Sequence, residues 1–290
     1  MRLLVSVTCA AEASAALAGG ADVIDAKDPL AGALGAVSVE VLHEIYAAVA
    51  RQRPLTAALG DAGDEAAIER AARTCVAAGA ALVKVGFAGI ASVGRVATLT
   101  TAAVRGAKAV TNGNGGVVAV AYADADRAAS LAPADLVEIA ARTGAQGVLL
   151  DTADKIGPGL RGLIAPRELA AWVAEAHDAG LFVALAGRLT ADDFPFVRDA
   201  GADIAGVRGA ACDGGRTGRV AAGRVRLLRL ALCGLAATGL RDSGTHQDVS
   251  VPSPSPSPQS PVPGPHSSRT ATRAELIAAR PDDPQERSPT

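Results

Sequence analysis

The stretch Gly19-Gly20-Ala21-Asp22-Val23-Ile24-Asp25-Ala26-Lys27-Asp28-Pro29 contains one complete unit of a repeating pattern. Two glycines end a predicted helix, because glycine adopts the left-handed conformation that closes a helix at little cost. A short apolar run then predicts a strand, and charged residues follow where the strand ends. A helix-closing glycine, a small or apolar residue and a strand recur at Gly79-Ala80, Gly144-Ala145, Gly180-Leu181 and Gly201-Ala202.

The whole pattern predicts eight strands that alternate with eight helices. The expected strands are residues 3–7, 22–26, 55–59, 82–86, 117–121, 147–151, 182–186 and 204–207. The expected helices are residues 10–18, 39–49, 64–78, 92–109, 133–143, 166–179, 191–200 and 220–237. Mostly apolar strands of this kind are typical of parallel sheets covered on both faces. Eight right-handed strand–helix units close most simply into an α/β fold of the (β/α)8 TIM-barrel type. A doubly wound open sheet is the alternative, although no G-x-G-x-x-G follows the first strand.

Composition excludes several classes of function. The chain has 290 residues, 49% of them hydrophobic and 20% charged, and a formal net charge of −2. This balance gives no electrostatic footprint for nucleic acid or an anionic membrane. No apolar run reaches the ~18 residues of a spanning helix, and no secretory signal pattern opens the chain, so we expect a cytoplasmic protein. The four cysteines and four scattered histidines lack metal-like spacing, so we expect no metal and no cofactor.

The composition changes near Gly244. Residues 246–290 contain ten of the sixteen prolines. Such a segment cannot bury enough apolar area to offset the entropy lost on ordering it. We therefore predict a catalytic barrel over residues 1–240 and a disordered Pro/Ser-rich tail over residues 241–290.

Lysine is rare in this chain. Of 28 basic residues only Lys27, Lys84, Lys108 and Lys155 are lysines. An amine can form a Schiff base and lose its proton, whereas a guanidinium stays protonated. Lys27, Lys84 and Lys155 lie at or just after predicted strand ends, where TIM barrels carry their active sites. Lys108 lies late in a helix and is interpreted as a solvated charge.

Strand periodicity places Asp25, Lys27 and Lys84 on inward faces of the barrel. A structural ion pair and a catalytic role are both open for each residue alone. The two inward lysines together favour catalysis, because desolvation and a neighbouring ammonium lower the pKa of an amine.

Further charged groups end other strands. Taken singly, Asp124 and Asp151 could each be no more than the N-cap of the following helix. Two carboxylates that face two lysines, however, suggest a proton-transfer network. Lys155 lies in a glycine-rich loop, where a phosphate contact and a solvated charge are equally open.

The last two strand ends suggest an anion site. Gly187 and Arg188 follow the seventh strand, and Arg208 and Gly209 follow the eighth. Barrels commonly bind phosphate at these loops through backbone amides, although glycines that only turn the chain are the alternative. The residues therefore predict cofactor-free carbonyl chemistry on a small phosphorylated sugar through a lysine imine; condensation, isomerisation and β-elimination all fit.

Several of these blocks together resemble the (5-formylfuran-3-yl)methyl phosphate synthase family of methanofuran biosynthesis, also called 4-(hydroxymethyl)-2-furancarboxaldehyde-phosphate synthase. The matching blocks are Asp25-Ala26-Lys27-Asp28-Pro29, Val83-Lys84-Val85-Gly86, Ala121-Tyr122-Ala123-Asp124, Asp151-Thr152-Ala153, Val183-Ala184-Leu185-Ala186-Gly187 and Gly206-Val207-Arg208-Gly209-Ala210-Ala211-Cys212. The resemblance covers residues 1–235. Asp126 stands where a His is familiar in the family, and the tail is extra.

The resemblance implies a lyase that condenses two glyceraldehyde 3-phosphate molecules into a furan with loss of phosphate and water. It implies that Lys27 forms the Schiff base and Lys84 is the proton acceptor, while Asp25, Asp124, Asp151 and Lys155 match charged positions of the barrel mouth. The partner is then a triose phosphate, and assembly into a homo-oligomer stays open. Another Schiff-base phosphosugar aldolase, or a phosphosugar-binding barrel without catalysis, are the alternatives.

Overall fold

A closed barrel of eight parallel strands forms the centre of the computed structural model, which describes residues 1–61, 63–110 and 115–235. The strands are β1 Arg2–Val7, β2 Val23–Ala26, β3 Leu55–Asp61, β4 Leu82–Gly86, β5 Gly116–Tyr122, β6 Gly147–Asp151, β7 Phe182–Leu185 and β8 Ile204–Val207. Each strand pairs with the next, and β8 pairs with β1. The TIM-barrel prediction is confirmed, and the open-sheet alternative is wrong.

Helices pack around the barrel. They are α1 Ala10–Ala18, α2 Val39–Val49, α3 Glu65–Ala77, α4 Val93–Lys108, α5 Ala125–Ala128, α6 Pro133–Thr143, α7 Pro166–Asp178, α8 Phe194–Asp199 and α9 Ala222–Leu232. The local signals explain their ends: Pro133 starts α6, and Gly144 closes it at a φ of 82°, where a residue with a Cβ would be strained. None of the helices in the described residues is both long and apolar enough to cross a membrane.

Several details differ from the expected elements. The final helix, expected over residues 220–237, begins at Ala222 and ends at Leu232, because Val220 belongs to a short strand and a turn follows Leu232. The predicted helix over residues 191–200 begins with a 3₁₀ turn, Ala191–Asp193, before α8. The short α5 and a two-stranded ribbon in the loop after β8 were not predicted; the ribbon pairs β9 Cys212–Asp213 with β10 Arg219–Val220. The predicted tail lies outside the described residues, as do the last two residues of the predicted final helix, so the domain boundary stays a prediction.

The inward side chains divide the barrel into two halves. Large apolar side chains fill its amino-terminal half: Leu4, Leu82, Val118, Leu149, Phe182 and Ile204. Outward side chains of the same strands, such as Leu3 and Val5, pack in the layer beneath the helices. Because side chains alternate along a strand, the next inward positions lie toward the carboxyl ends. These positions carry the polar groups of the site.

Candidate active site

A cavity of about 420 Å³ extends from the carboxyl ends of the strands into the barrel. Its volume suits a small ligand. Toward the carboxyl ends of β7 and β8, the inward residues are small: Ala184 in β7, Ala186 just after it and Gly206 in β8. This side of the lumen is therefore open. Five of the six predicted catalytic residues line the cavity: Asp25, Lys27, Lys84, Asp151 and Lys155.

Lys84 forms a buried ion pair with Asp25. The Lys84 Nζ lies 2.6 Å from Asp25 Oδ2. The same oxygen accepts a hydrogen bond from Ser6 Oγ at 2.8 Å, and Oδ1 accepts one from Thr56 Oγ1 at 2.7 Å. Three donors therefore compensate a carboxylate that is fully shielded from solvent. Because β2 and β4 lie on either side of β3, the pair joins two strands that are not hydrogen-bonded to each other, and Asp25 pairs with Lys84 rather than with Lys27.

Lys27 has a different environment. Its Nζ lies 3.9 Å from Asp151 Oδ2, which is beyond hydrogen-bond distance. The side chain is only 10% exposed. No acceptor for this amine lies within hydrogen-bond distance among the described residues. Burial lowers the pKa of Lys27 from 10.5 to about 8; Asp151 opposes this shift, and the ammonium groups of Lys84 and Lys155 add to it. A substantial fraction of the amine is therefore neutral near physiological pH.

Asp151 binds Lys155 more closely than Lys27. Its Oδ1 accepts hydrogen bonds from Lys155 Nζ at 2.7 Å and from the Thr152 amide at 2.8 Å. Lys155 also donates to the Thr152 carbonyl. Burial raises the pKa of Asp151, but the Lys155 ammonium and then the Lys27 ammonium lower it below the usual value. Asp151 is thus an ionised carboxylate between two amines.

Asp124 does not join this cluster. Its two carboxylate oxygens accept hydrogen bonds from the backbone amides of Ala153 at 2.7 Å and Asp154 at 2.8 Å. Of the described residues, those that line the cavity do not include it. Asp124 therefore orders the loop that carries Lys155 rather than facing the lysines.

The predicted phosphate-binding residues divide into two groups. Gly187, Arg188 and Gly209 line the cavity beyond the ends of β7 and β8. The Arg188 Nη1 also donates to the carbonyls of Ile156, at 2.8 Å, and Gly157.

Arg208 is bound on all sides by the protein. Its guanidinium donates two hydrogen bonds to the buried Glu12 carboxylate, at 2.9 and 3.3 Å. It donates one more to each of the carbonyls of Ser6, Arg216 and Gly218. An arginine has five N–H donors, and these five hydrogen bonds use all of them. The expected phosphate contact through the Arg208 side chain therefore has no donor left, because the side chain joins β8 to α1.

The family model for 4-HFC-P synthase matches residues 3–229. The chain belongs to the 4-HFC-P synthase family. It is 39% identical over 221 residues to the (5-formylfuran-3-yl)methyl phosphate synthase of Methanopyrus kandleri, covering 76% of this chain and 93% of that protein. The enzyme of that name from Methanocaldococcus jannaschii is 38% identical over 216 residues, covering 74% of this chain and 92% of that protein. A putative synthase of this kind from Streptomyces griseus is 39% identical over 218 residues, covering 74% and 87%.

Solved structures share the fold of this 4-HFC-P synthase family member. A 3-hexulose-6-phosphate synthase superposes with a TM-score of 0.53 at 23% identity, covering 79% of this chain and 99% of that chain. The phosphoribosyl anthranilate isomerase of Thermus thermophilus gives a TM-score of 0.54 at 16% identity, covering 81% and 99%. At these identities the likeness shows the barrel fold alone.

Sequence reasoning missed Arg216, which also lines the cavity of this 4-HFC-P synthase family member. Its guanidinium donates to the carbonyls of Pro29 and Gly32, the latter at 2.7 Å. The segment Gly214-Gly215-Arg216-Thr217-Gly218 is a glycine-rich loop around one cation, and that pattern could have indicated it. Across the described residues, no cluster of three His, Cys, Asp or Glu side chains could hold a metal ion.

Proposed function

We propose that this chain condenses two molecules of glyceraldehyde 3-phosphate into (5-formylfuran-3-yl)methyl phosphate. One inorganic phosphate and two water molecules leave, which balances the atoms of the two trioses against the product. The reaction is a carbon–oxygen lyase reaction that begins with a Schiff base on Lys27. The observation that carries this proposal is the buried Lys27 amine, whose pKa is lowered to about 8 and which has no hydrogen-bond acceptor within the described residues.

The first step is formation of an imine. The neutral amine of Lys27 attacks the aldehyde carbon of one triose phosphate, and water leaves from the resulting carbinolamine. Asp151 lies 3.9 Å from the Lys27 Nζ, beyond direct hydrogen-bond distance, so it takes a proton from the attacking amine and returns it to the leaving hydroxyl through one bridging water. Lys155 holds this carboxylate from the opposite side at 2.7 Å.

The second step is loss of a proton beside the imine. The imine withdraws electrons and acidifies the neighbouring C–H bond. Lys84 accepts this proton after its own ammonium has released a proton to solvent. Asp25 stabilises the ammonium that forms, since its carboxylate lies 2.6 Å from the Lys84 Nζ. The enamine then attacks the carbonyl carbon of the second triose phosphate. Departure of one phosphate and two water molecules completes the aromatic ring. Water then hydrolyses the imine, which releases the aldehyde product and regenerates the Lys27 amine.

The charge of the cavity suits two phosphate esters. Of the described residues, three lysines, two aspartates and the side chains of Arg188 and Arg216 line it. The cationic groups therefore outnumber the carboxylates, and a low-dielectric cavity strengthens their attraction for a phosphoryl group. Backbone amides around Gly187 and Gly209 hold one of the two phosphates.

The test is incubation of the purified chain with glyceraldehyde 3-phosphate. We expect a furan aldehyde absorption band, a product with the mass of (5-formylfuran-3-yl)methyl phosphate and one released phosphate per furan. Borohydride added during turnover should attach the triose to Lys27. Lys27→Arg keeps the charge but cannot form an imine, so it should lose both the adduct and the product.

Lys108→Arg, a change of the same kind on an exposed face of α4, is the matched control and should retain both. A Lys27 adduct without any furan would point to a different Schiff-base aldolase. Unchanged triose after prolonged incubation would point to a binding protein.

A further inference from the structure

Two phosphoryl groups must share one cavity if the proposed condensation is right, and the inference below rests on that function. The amides around Gly187 and Gly209 provide a place for one of them. The cavity-lining arginines are the natural partners of the other, because a guanidinium fork matches phosphate oxygens. Three arginines among the described residues line the cavity: Arg188, Arg208 and Arg216. They differ in how many of their N–H donors the protein already uses.

Arg216 has donors left, whereas Arg208 has none. Its Nη1 donates to the Pro29 carbonyl and its Nη2 donates to the Gly32 carbonyl at 2.7 Å. Of its five N–H groups, three find no acceptor within residues 1–61, 63–110 and 115–235.

Arg188 also keeps three donors, on Nε and Nη2, because the loop after β6 takes only the two N–H groups of its Nη1. Arg188 directly follows Gly187, however, so we place it with the first phosphoryl group, and Arg216 is the arginine that remains for the second.

The Arg216 side chain is held in place before any ligand arrives. Pro29 and Gly32 lie in the loop that follows Lys27, so these contacts fix the guanidinium beside the imine-forming residue. The Arg216 carbonyl accepts a hydrogen bond from Arg208 Nε at 2.8 Å. Donors that are already positioned bind a ligand without the full entropy cost of ordering a long side chain.

The ribbon of β9 and β10 closes the loop that carries Arg216. The Glu12 carboxylate stabilises this loop, because it accepts a hydrogen bond from Arg208 at 2.9 Å and one from the Val220 amide at 3.3 Å. The donors of Arg208 are therefore occupied by contacts that support the backbone around Arg216, whose own guanidinium still has donors free.

We propose that Arg216 is a second anion anchor of this cavity, which takes the phosphoryl group of the triose that is not held by the amides around Gly187 and Gly209.

The first test measures binding of inorganic phosphate by ³¹P NMR titration, without any reaction. Arg216→Gln should weaken the affinity for phosphate at one site by about 10- to 100-fold, the effect of losing charge-assisted hydrogen bonds. Arg216→Lys keeps the charge without the fork and should lose less. Arg219→Gln is the matched control, because Arg219 is exposed in the same loop and does not line the cavity; its affinity should equal that of the unaltered chain.

The second test separates binding from chemistry. Arg216→Gln should raise the KM for glyceraldehyde 3-phosphate much more than it lowers kcat, and borohydride should still label Lys27. Equal phosphate affinity in Arg216→Gln and Arg219→Gln would overturn the proposal. The phosphate titration decides it even if no furan forms, so failure of the proposed function and failure of the anion anchor are distinguishable.

Discussion

The charge of Asp151 should control the pH at which Lys27 becomes reactive. With a pKa of about 8, about a tenth of Lys27 is neutral at pH 7, roughly 300-fold more than for an amine with a pKa of 10.5. The Asp151 carboxylate, 3.9 Å from the Lys27 Nζ, reduces the neutral fraction because it stabilises the ammonium form. At an effective dielectric constant near 20 such a pair interacts by about 4 kcal/mol, or up to about 3 pKa units. Because Lys155 shares the carboxylate, we expect a smaller shift, of about 1 to 2 units.

Asp151→Asn removes the charge and keeps the shape. It should move the midpoint of Lys27 reactivity to lower pH, because the ammonium form loses its nearest counter-charge. Lys84→Met should move the midpoint to higher pH, since it removes a neighbouring cation and leaves Asp25 to attract the Lys27 ammonium. The two variants thus shift one group in opposite directions.

The assay traps the imine with cyanoborohydride between pH 5 and pH 10 and measures the labelled Lys27 peptide by mass spectrometry. Glyceraldehyde is the probe, because an uncharged aldehyde adds no phosphate charge to the site. Labelling of the exposed Lys108 corrects for the pH dependence of the reagent. A midpoint in Asp151→Asn at or above that of the unaltered chain would refute the electrostatic reasoning, and a midpoint near 10.5 in the unaltered chain would refute the effect of burial.

Two further substitutions test the frame around the lysines. Glu12→Gln leaves the buried Arg208 without its counter-charge and should lower the free energy of unfolding, measured in urea, by about 3–5 kcal/mol. Adding Arg208→Met should restore much of the lost stability. A loss below about 1 kcal/mol in Glu12→Gln alone would contradict the role of this ion pair. Asp124→Ala leaves two loop amides without an acceptor and should cost about 1–3 kcal/mol and raise KM. Lys27 trapping should persist, and its loss would instead assign Asp124 to the chemistry.

The barrel could be predicted because its signals are local. The bounds of β4, β6 and β8 and of α1, α2 and α6 agree with the expected ones, since each strand is a short apolar run and a glycine or proline marks many helix ends. The start of α8 could not be predicted in this way. Thr190 and Asp193 form a capping box that gives the 3₁₀ turn its own beginning, and the sequence pattern does not separate that turn from the helix behind it.

For the site, the sequence predicted only which side chains point into the barrel. Alternation along a strand places Asp25, Lys27 and Lys84 inward, but it does not say which groups meet across the lumen. The Asp25–Lys84 contact depends on how eight strands close into a ring. The Glu12–Arg208 pair joins residues 196 positions apart, and Arg216 reaches Pro29 across 187 positions. No local sequence pattern reveals such contacts. The sequence therefore predicted a phosphate contact for Arg208, whereas in the structure the protein occupies all of its donors.

The difference between the lysines follows from a shortage of carboxylates. Among the residues that the structure describes, three amines and two carboxylates line the cavity, so at most two of these amines can have a carboxylate of their own. Asp25 is committed to Lys84 by its position between Ser6 and Thr56, and Asp151 lies closer to Lys155 than to Lys27. Lys27 is therefore the amine without a hydrogen-bonded counter-charge, and burial acts on it with the least compensation. The same arrangement that pairs Lys84 and Lys155 with carboxylates thus favours in Lys27 the neutral form that a nucleophile needs.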